Sequence, residues 1–308
     1  MAQAMTADGQ AASFTAAAAF RALHLACEQR KLNSESATLL GPVADNGVIR
    51  LPRERIVARV AWGTSALPAV QRELRVAAWL AEQDVPAVRP SFKVVDQPVL
   101  CDGRVITFWE EIHAPQQGRP ADIGALLRRL HALPAPPEGM LPAFDPFGCQ
   151  DAHIREATGL PEHDRRFLLD LLEELRAANA GLSFARPPGV IHGDPHRKNL
   201  VRGANGPIML DLERFAVGPI EWDLIVPAVY HLVGWYSDAE YAAFVETYGW
   251  DVTQWEGFSA LARVRQLRMT TWLASRTGRE PRLIPEVLNR IATLRDPAAL
   301  SRPWTPGT

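Results

Sequence analysis

The hydrophobic positions of this chain change their period twice. Over residues 15–32, Phe20, Leu23 and Cys27 recur along one face of a helix that Ser13 or Thr15 would cap. Two short apolar runs follow, residues 36–43 and 47–51, around the tight-turn sequence Asp45-Asn46-Gly47; residues 56–60 form a further β-rich run. Residues 68–83 return to helical spacing, with Val70, Leu74, Ala77 and Leu80 in one stripe and Pro68 at the start. Segments 92–95, 98–101 and 105–109 read as strands, with Asp102-Gly103 as a turn.

Beyond residue 114 helical spacing dominates. Residues 123–133 are amphipathic and end in a run containing Pro134, Pro136, Pro137, Pro142 and Pro146. Residues 164–178 place Leu168, Leu171, Leu172 and Leu175 inside, and 222–236, 239–248, 255–275 and 285–293 are further helices. This pattern predicts an α+β chain: a small β-rich lobe over 13–112, joined near 109–114 to a larger helical lobe over 113–300. Residues 1–12 are of low complexity and expected to be disordered, and 301–308 are expected to form a loose tail.

Composition narrows the class. The 308 residues are 47% hydrophobic and 22% charged, enough for two lobes with sizeable cores. A formal net charge of −2 argues against a nucleic-acid binder, and no run of about 18 apolar residues suggests a membrane span. Cys27, Cys101 and Cys149 are widely separated and match neither a metal-ligand spacing nor a disulfide framework. The first positive charge is Arg21, which does not suit a signal peptide, so a cytoplasmic protein is expected.

One segment breaks the helical habit and concentrates polar groups. An apolar approach, Val190-Ile191, enters His192-Gly193-Asp194-Pro195-His196-Arg197-Lys198-Asn199. A hairpin pattern then runs through Leu200-Val201-Arg202, an Asn205-Gly206 turn and Ile208-Met209-Leu210-Asp211. Hairpin geometry brings Asn199 and Asp211 side by side, with Asp194 close. Hard oxygen ligands beside a carboxylate suit Mg²⁺-assisted phosphoryl transfer, in which positioning and charge neutralisation do most of the catalytic work.

His192-Gly193-Asp194, Asn199 and Asp211, in this order, resemble the catalytic core of the aminoglycoside phosphotransferase and choline kinase-like family of small-molecule kinases. The resemblance implies a bilobal protein-kinase-like fold with nucleotide held between the lobes. It makes Asp194 the catalytic base, Asn199 and Asp211 the metal ligands, and His192 a buried support of the loop. His196 falls where protein kinases carry a phosphate-contacting lysine. Gly218-Pro219-Ile220-Glu221-Trp222-Asp223 resembles the family segment in which Asp223 braces the loop's backbone. Arg59 occupies the place of the strand lysine that holds nucleotide phosphates, with Glu73 as its partner, and Trp109, Glu110, Glu111 and Ile112 form the hinge facing the nucleobase. Mg²⁺ is the implied metal, ATP or GTP the phosphate donor, and a small-molecule alcohol the acceptor.

Two departures leave alternatives open. The small lobe lacks G-x-G-x-x-G, and Arg59 replaces the usual lysine, so a nucleotide-binding pseudokinase acting as an interaction module is the second reading. Glu213 suits either a second metal or solvent. His131 is expected to pack rather than react. Asp238, Glu240, Glu246, Asp251 and Glu256 are candidate polycation ligands or simply solvated charges, while the helix bearing Arg263, Arg265 and Arg268 is basic. No clear site for a polycationic antibiotic emerges.

Overall fold

In the computed structural model, residues 14–43, 46–296 and 303–307 are described. The expectations for residues 1–12, Ser13 and Asp45 fall outside that range. The chain divides into two compact units, one holding the described residues up to Ala81 together with Val88–His113, the other Glu82–Ala87 and the residues from Ala114 onward.

The first unit opens with helix α1 (Ala16–Arg30), which starts where the Thr15 side chain accepts a hydrogen bond from the Ala18 N–H and stops at Lys31, left-handed at φ 56°. Strands β1 (Thr38–Leu39), β2 (Asn46–Leu51) and β3 (Ile56–Ala61) follow, then helix α2 (Leu67–Glu82) and strands β4 (Val99–Cys101) and β5 (Arg104–Glu110). All pair antiparallel in the order β1-β2-β3-β5-β4. Alternation directs Ile49, Leu51, Ile56, Ala58 and Val60 onto the apolar face of α1, where Ala19, Ala22, Leu23 and Ala26 are buried. Through Val70, α2 packs on Ala61 and Val105.

The strand expected over residues 92–95 is instead a turn, with Phe92 and Val95 exposed and Val94 alone turned inward. Local bonds outcompete the ladder here. Ser91 accepts from the backbone of Lys93 and Val94, while the Gln97 side chain bonds both the N–H and the C=O of Phe108.

The second unit carries strand β6 (Gln116–Gln117), helices α3 (Pro120–Leu130), α4 (Gln150–Glu156) and α5 (Glu162–Ala180), then strands β7 (Gly189–Ile191), β8 (Leu200–Gly203), β9 (Gly206–Met209) and β10 (Ala216–Gly218). Helices α6 (Glu221–Leu232), α7 (Asp238–Tyr248), α8 (Phe258–Ser275) and α9 (Ile284–Arg295) complete it. Helix α8 lies among α4, α5, α6 and α9, and its residues are buried on almost every side. The α3–α7 contact depends on Gly124: a Cβ there would stand 2.7 Å from the carbonyl oxygen of Phe244. Helix α6 ends four residues earlier than expected because Gly234 turns left-handed at φ 80° and the N–H groups of Trp235 and Tyr236 both reach the Tyr230 carbonyl.

The tail expected to be loose is packed over residues 303–307. The indole of Trp304 is buried and donates to Thr293 Oγ1 at 3.1 Å, and its backbone accepts from the Trp235 indole at 2.7 Å. Arg290 lies over the Trp304 ring at 4.8 Å and bonds the Thr305 carbonyl. Burial of one large aromatic surface suffices to hold so short a segment. No described helix is long and apolar enough to cross a membrane.

Candidate active site

The loop between β7 and β8 is held from behind by Asp223, fully buried at the start of α6. Its carboxylate accepts from the N–H of His192 at 2.7 Å and of Gly193 at 2.8 Å, and lies 3.2 Å from His131 Nε2. The Tyr248 hydroxyl stands 2.9 Å from His131 Nδ1. Trp222, next to Asp223, donates its indole N–H to the Gly193 carbonyl at 2.9 Å. Backbone donors and one imidazole thus satisfy a buried charge that would otherwise be costly.

His192 is buried as well. Its Nε2 lies 3.1 Å from the Leu210 carbonyl and its Nδ1 receives the Asp194 N–H at 3.4 Å, so the proton sits on Nε2. The imidazole therefore joins the loop to the end of β9. Gly193 sits at φ 84°, and a Cβ on it would come within 2.5 Å of the Arg214 carbonyl oxygen; only glycine allows the loop to approach the 211–215 segment this closely.

Asn199 ends the turn, and the hairpin β8–β9 begins at the next residue, Leu200 pairing with Met209. The Leu210 N–H bonds the Asn199 carbonyl at 2.9 Å, which sets Asp211 beside the turn. The Asn199 amide donates to the Asp194 carbonyl at 3.1 Å, so its NH₂ is committed and its oxygen remains as an acceptor. Asp211 adopts the left-handed conformation at φ 52°, ψ 72°, uncommon for a non-glycine residue and typical of functional corners. Its carboxylate is half-buried and makes no hydrogen bond or ion pair with the described residues. An amide oxygen beside an unpaired carboxylate fits a hard divalent cation. Among the described residues no group of three or more His, Cys, Asp or Glu could hold a metal by itself, so such an ion would need further oxygen ligands from water or phosphate.

Asp194 faces cations. Arg265 Nη2 donates to its Oδ1 at 2.7 Å, Arg214 Nε lies 3.9 Å from Oδ2, and His196 Nε2 lies 3.8 Å from the same oxygen. Burial disfavours its charge, but Arg265, then His196 and Arg214, outweigh that and hold the carboxyl well below the usual range. His196 accepts the Lys198 N–H on Nδ1 at 3.2 Å and stacks on Tyr230 at 5.8 Å. Burial pushes its basicity down, with Asp194 pulling the other way. At this position, where the resemblance placed a phosphate contact, the imidazole caps the turn.

In the first unit, Arg59 on β3 donates from Nη1 to both carboxylate oxygens of Glu73 on α2 at 2.7 Å. Of the four hinge residues, Trp109 pairs with Val57, and Glu110 and Glu111 donate their N–H groups to the carbonyls of Arg89 and Arg55. The Glu111 side chain is tied to Arg50 at 2.6 Å. Ile112 is the one of the four whose N–H is uncommitted within the described residues.

Sequence reasoning missed Arg265, Arg214 and Tyr230. A partial signal existed for Arg265: it stands among the arginines of a basic helix, between the apolar Val264 and Leu267, and a buried guanidinium needs a carboxylate. Trp250, Trp255 and Trp272, whose density along the sequence suggests either core packing or a ring-binding pocket, stand against Arg186, Phe184 and Arg276.

Solved structures with the same architecture include an amicoumacin kinase in complex with AMP-PNP, Ca²⁺ and Ami (TM-score 0.68, 13% identity, 92% of this chain and 95% of that one). A microcompartment-associated aminopropanol kinase follows (0.67, 16%, 91% and 98%), as does a choline/ethanolamine kinase family protein from Mesorhizobium loti (0.59, 18%, 90% and 99%). At these identities the likeness establishes the kinase-like α+β fold. A comparison with curated proteins finds no match. The model of the phosphotransferase enzyme family APH, however, matches residues 44–267, well over half of the chain, and spans the Arg59–Glu73 pair, the braced loop and the hairpin. This chain belongs to the APH phosphotransferase enzyme family.

Proposed function

We propose that the protein transfers the terminal phosphoryl group of ATP or GTP to a hydroxyl of a small molecule. The observation that carries this reading is the single turn and hairpin gathering Asp194, the Asn199 amide oxygen and the unpaired Asp211 carboxylate. The acceptor oxygen forms a bond to the γ-phosphorus, its proton passes to Asp194, and the bond to the bridging oxygen breaks. The nucleoside diphosphate leaves with that electron pair. A divalent cation, Mg²⁺ in this reading, would be held by Asn199 Oδ1 and Asp211 and would supply positive charge to the phosphate oxygens.

The cations around Asp194 keep it in the charged form that can orient the hydroxyl and accept its proton. Arg59, fixed by Glu73, serves the nucleotide phosphates in place of a lysine, and its fork can hold carboxylate and phosphate together. The Ile112 N–H is the hinge donor left for a nucleobase. The AMP-PNP in the amicoumacin kinase complex supports an adenine nucleotide as donor. Such a donor is plentiful in the cytoplasm, which supports that location.

The test is thermal melting with MgATP and MgGTP, followed by coupled ADP or GDP release over small alcohols. Metal-dependent turnover abolished by Asp194→Ala in a folded protein supports the proposal. Nucleotide binding with no turnover on any acceptor would instead favour a nucleotide-binding interaction module.

A further inference from the structure

The charges around Asp194 identify the class of acceptor. Arg265 and Arg268 lie three residues apart on α8 and so share a helix face, while Arg214 comes from the turn after Asp211. Arg265 and Arg214 both reach Asp194, at 2.7 and 3.9 Å. Arg268 bonds only the carbonyls of Asp145 and Pro146, at 3.1 and 2.9 Å, and lies over the Trp222 ring at 5.2 Å. Among the described residues it has no carboxylate within ion-pairing distance, and Arg214 has only Asp194. Burial, reinforced by Arg265 and Arg214, brings the Arg268 guanidinium down to about 10, still charged at neutral pH. Two guanidinium groups therefore share the Asp194 carboxylate, and a third close by is held by carbonyl oxygens alone.

Two acidic side chains of the second unit have partners of their own. Glu240 binds Arg197 at 3.1 Å and caps α7, and Asp145 accepts the Phe147 N–H. The Nε of Arg265 is buried without a hydrogen-bond partner in the described residues, a spare donor next to the reacting carboxylate. A guanidinium held by carbonyls alone, beside two more on Asp194, is a poor host for a polycation and a good one for an anion.

We infer that the acceptor is an anionic alcohol, a hydroxy acid or sugar acid whose carboxylate is held by Arg214 and Arg268 while its hydroxyl lies on Asp194. The inference rests on the phosphotransferase reading and assigns its substrate class. Arg265 is a positioning residue: it fixes the Asp194 carboxylate so that one oxygen faces the hydroxyl. A substrate carboxylate takes up the surplus positive charge, and an ammonium group in the same place meets repulsion.

Matched probes test this. Glucuronate, glucose and glucosamine share one ring and differ in charge; glycerate, glycerol and 3-aminopropane-1,2-diol do the same at smaller size. Binding is measured by titration calorimetry with AMP-PNP and Mg²⁺ present, and turnover by ADP release from ATP. At least one carboxylate member is expected to bind ten-fold or more tightly than its neutral and amino counterparts. Arg214→Gln, at an exposed side chain that folding tolerates, and Arg268→Gln should each erase about ten-fold of that preference, while the KM for ATP stays unchanged. Arg214→Glu should turn the preference toward the amino member. Equal or weaker binding of both carboxylates, or variants that raise the KM for ATP and spare the acceptor, overturns the inference. Absence of ADP release with every acceptor counts against the phosphotransferase reading instead, and the calorimetric charge preference remains readable without it.

Discussion

Two aspartates on either side of one loop show how differently the same side chain is used. Asp223 is fully buried, and two backbone N–H groups and an imidazole satisfy it. Asp194 is about one-fifth exposed, and its partners are side-chain cations that a substrate can rearrange. The first is bound to groups that cannot leave without unfolding the loop. The second is bound to groups whose geometry depends on rotamers. A carboxylate satisfied by backbone holds architecture, and one satisfied by mobile charge is available for chemistry.

Replacing each in turn should separate these roles. Asp194→Asn is expected to lower turnover about 100- to 10,000-fold, the range for loss of a general base, with a smaller loss of urea stability than Asp223→Ala, because Asn still accepts from Arg265 but no longer offsets its charge. Equal loss of stability in that variant would erase the contrast. Asp223→Ala should do the reverse. Each buried donor left without an acceptor costs about 1–3 kcal/mol, so the urea midpoint should fall by an amount corresponding to several kcal/mol, and activity should fall with it.

Asp211→Asn sharpens the working side. The Mg²⁺ concentration for half-maximal turnover should rise about ten-fold or more, as expected for loss of one charged oxygen ligand. EDTA should abolish turnover and leave the melting temperature of the nucleotide-free protein unmoved. The smallest effect belongs to His131→Phe, which keeps ring volume and removes one of the three partners of Asp223. A loss of about 1 kcal/mol in urea unfolding is expected, because both backbone donors remain. A larger loss would move His131 from auxiliary to principal support.

Much of this arrangement is legible in the chain. The alternation of Ile49, Leu51, Ile56, Ala58 and Val60 announces a sheet with one buried face, and the turn at Asn205-Gly206 announces the hairpin. The loop-and-hairpin order of Asp194, Asn199 and Asp211 is legible because its members are close in sequence, and local geometry settles their placement. The strand expected at 92–95 failed for the opposite reason. Its apolar pattern met the competing side chains of Ser91 and Gln97, and Gln97 bonds a strand reached only through tertiary pairing. The tail at 303–307 failed likewise, since the pocket for Trp304 is built by Thr293, Trp235 and Arg290.

Local spacing therefore dictated the elements, the catalytic turn and the family, because these depend on residues within a few positions of one another. Which cations meet Asp194 was decided only by packing. Arg265 lies 71 residues from it along the chain, and no periodicity relates a residue on α8 to a loop before β8. Coulombic attraction acts through space, so the cationic surroundings of Asp194 came into being only when the helices closed around the loop.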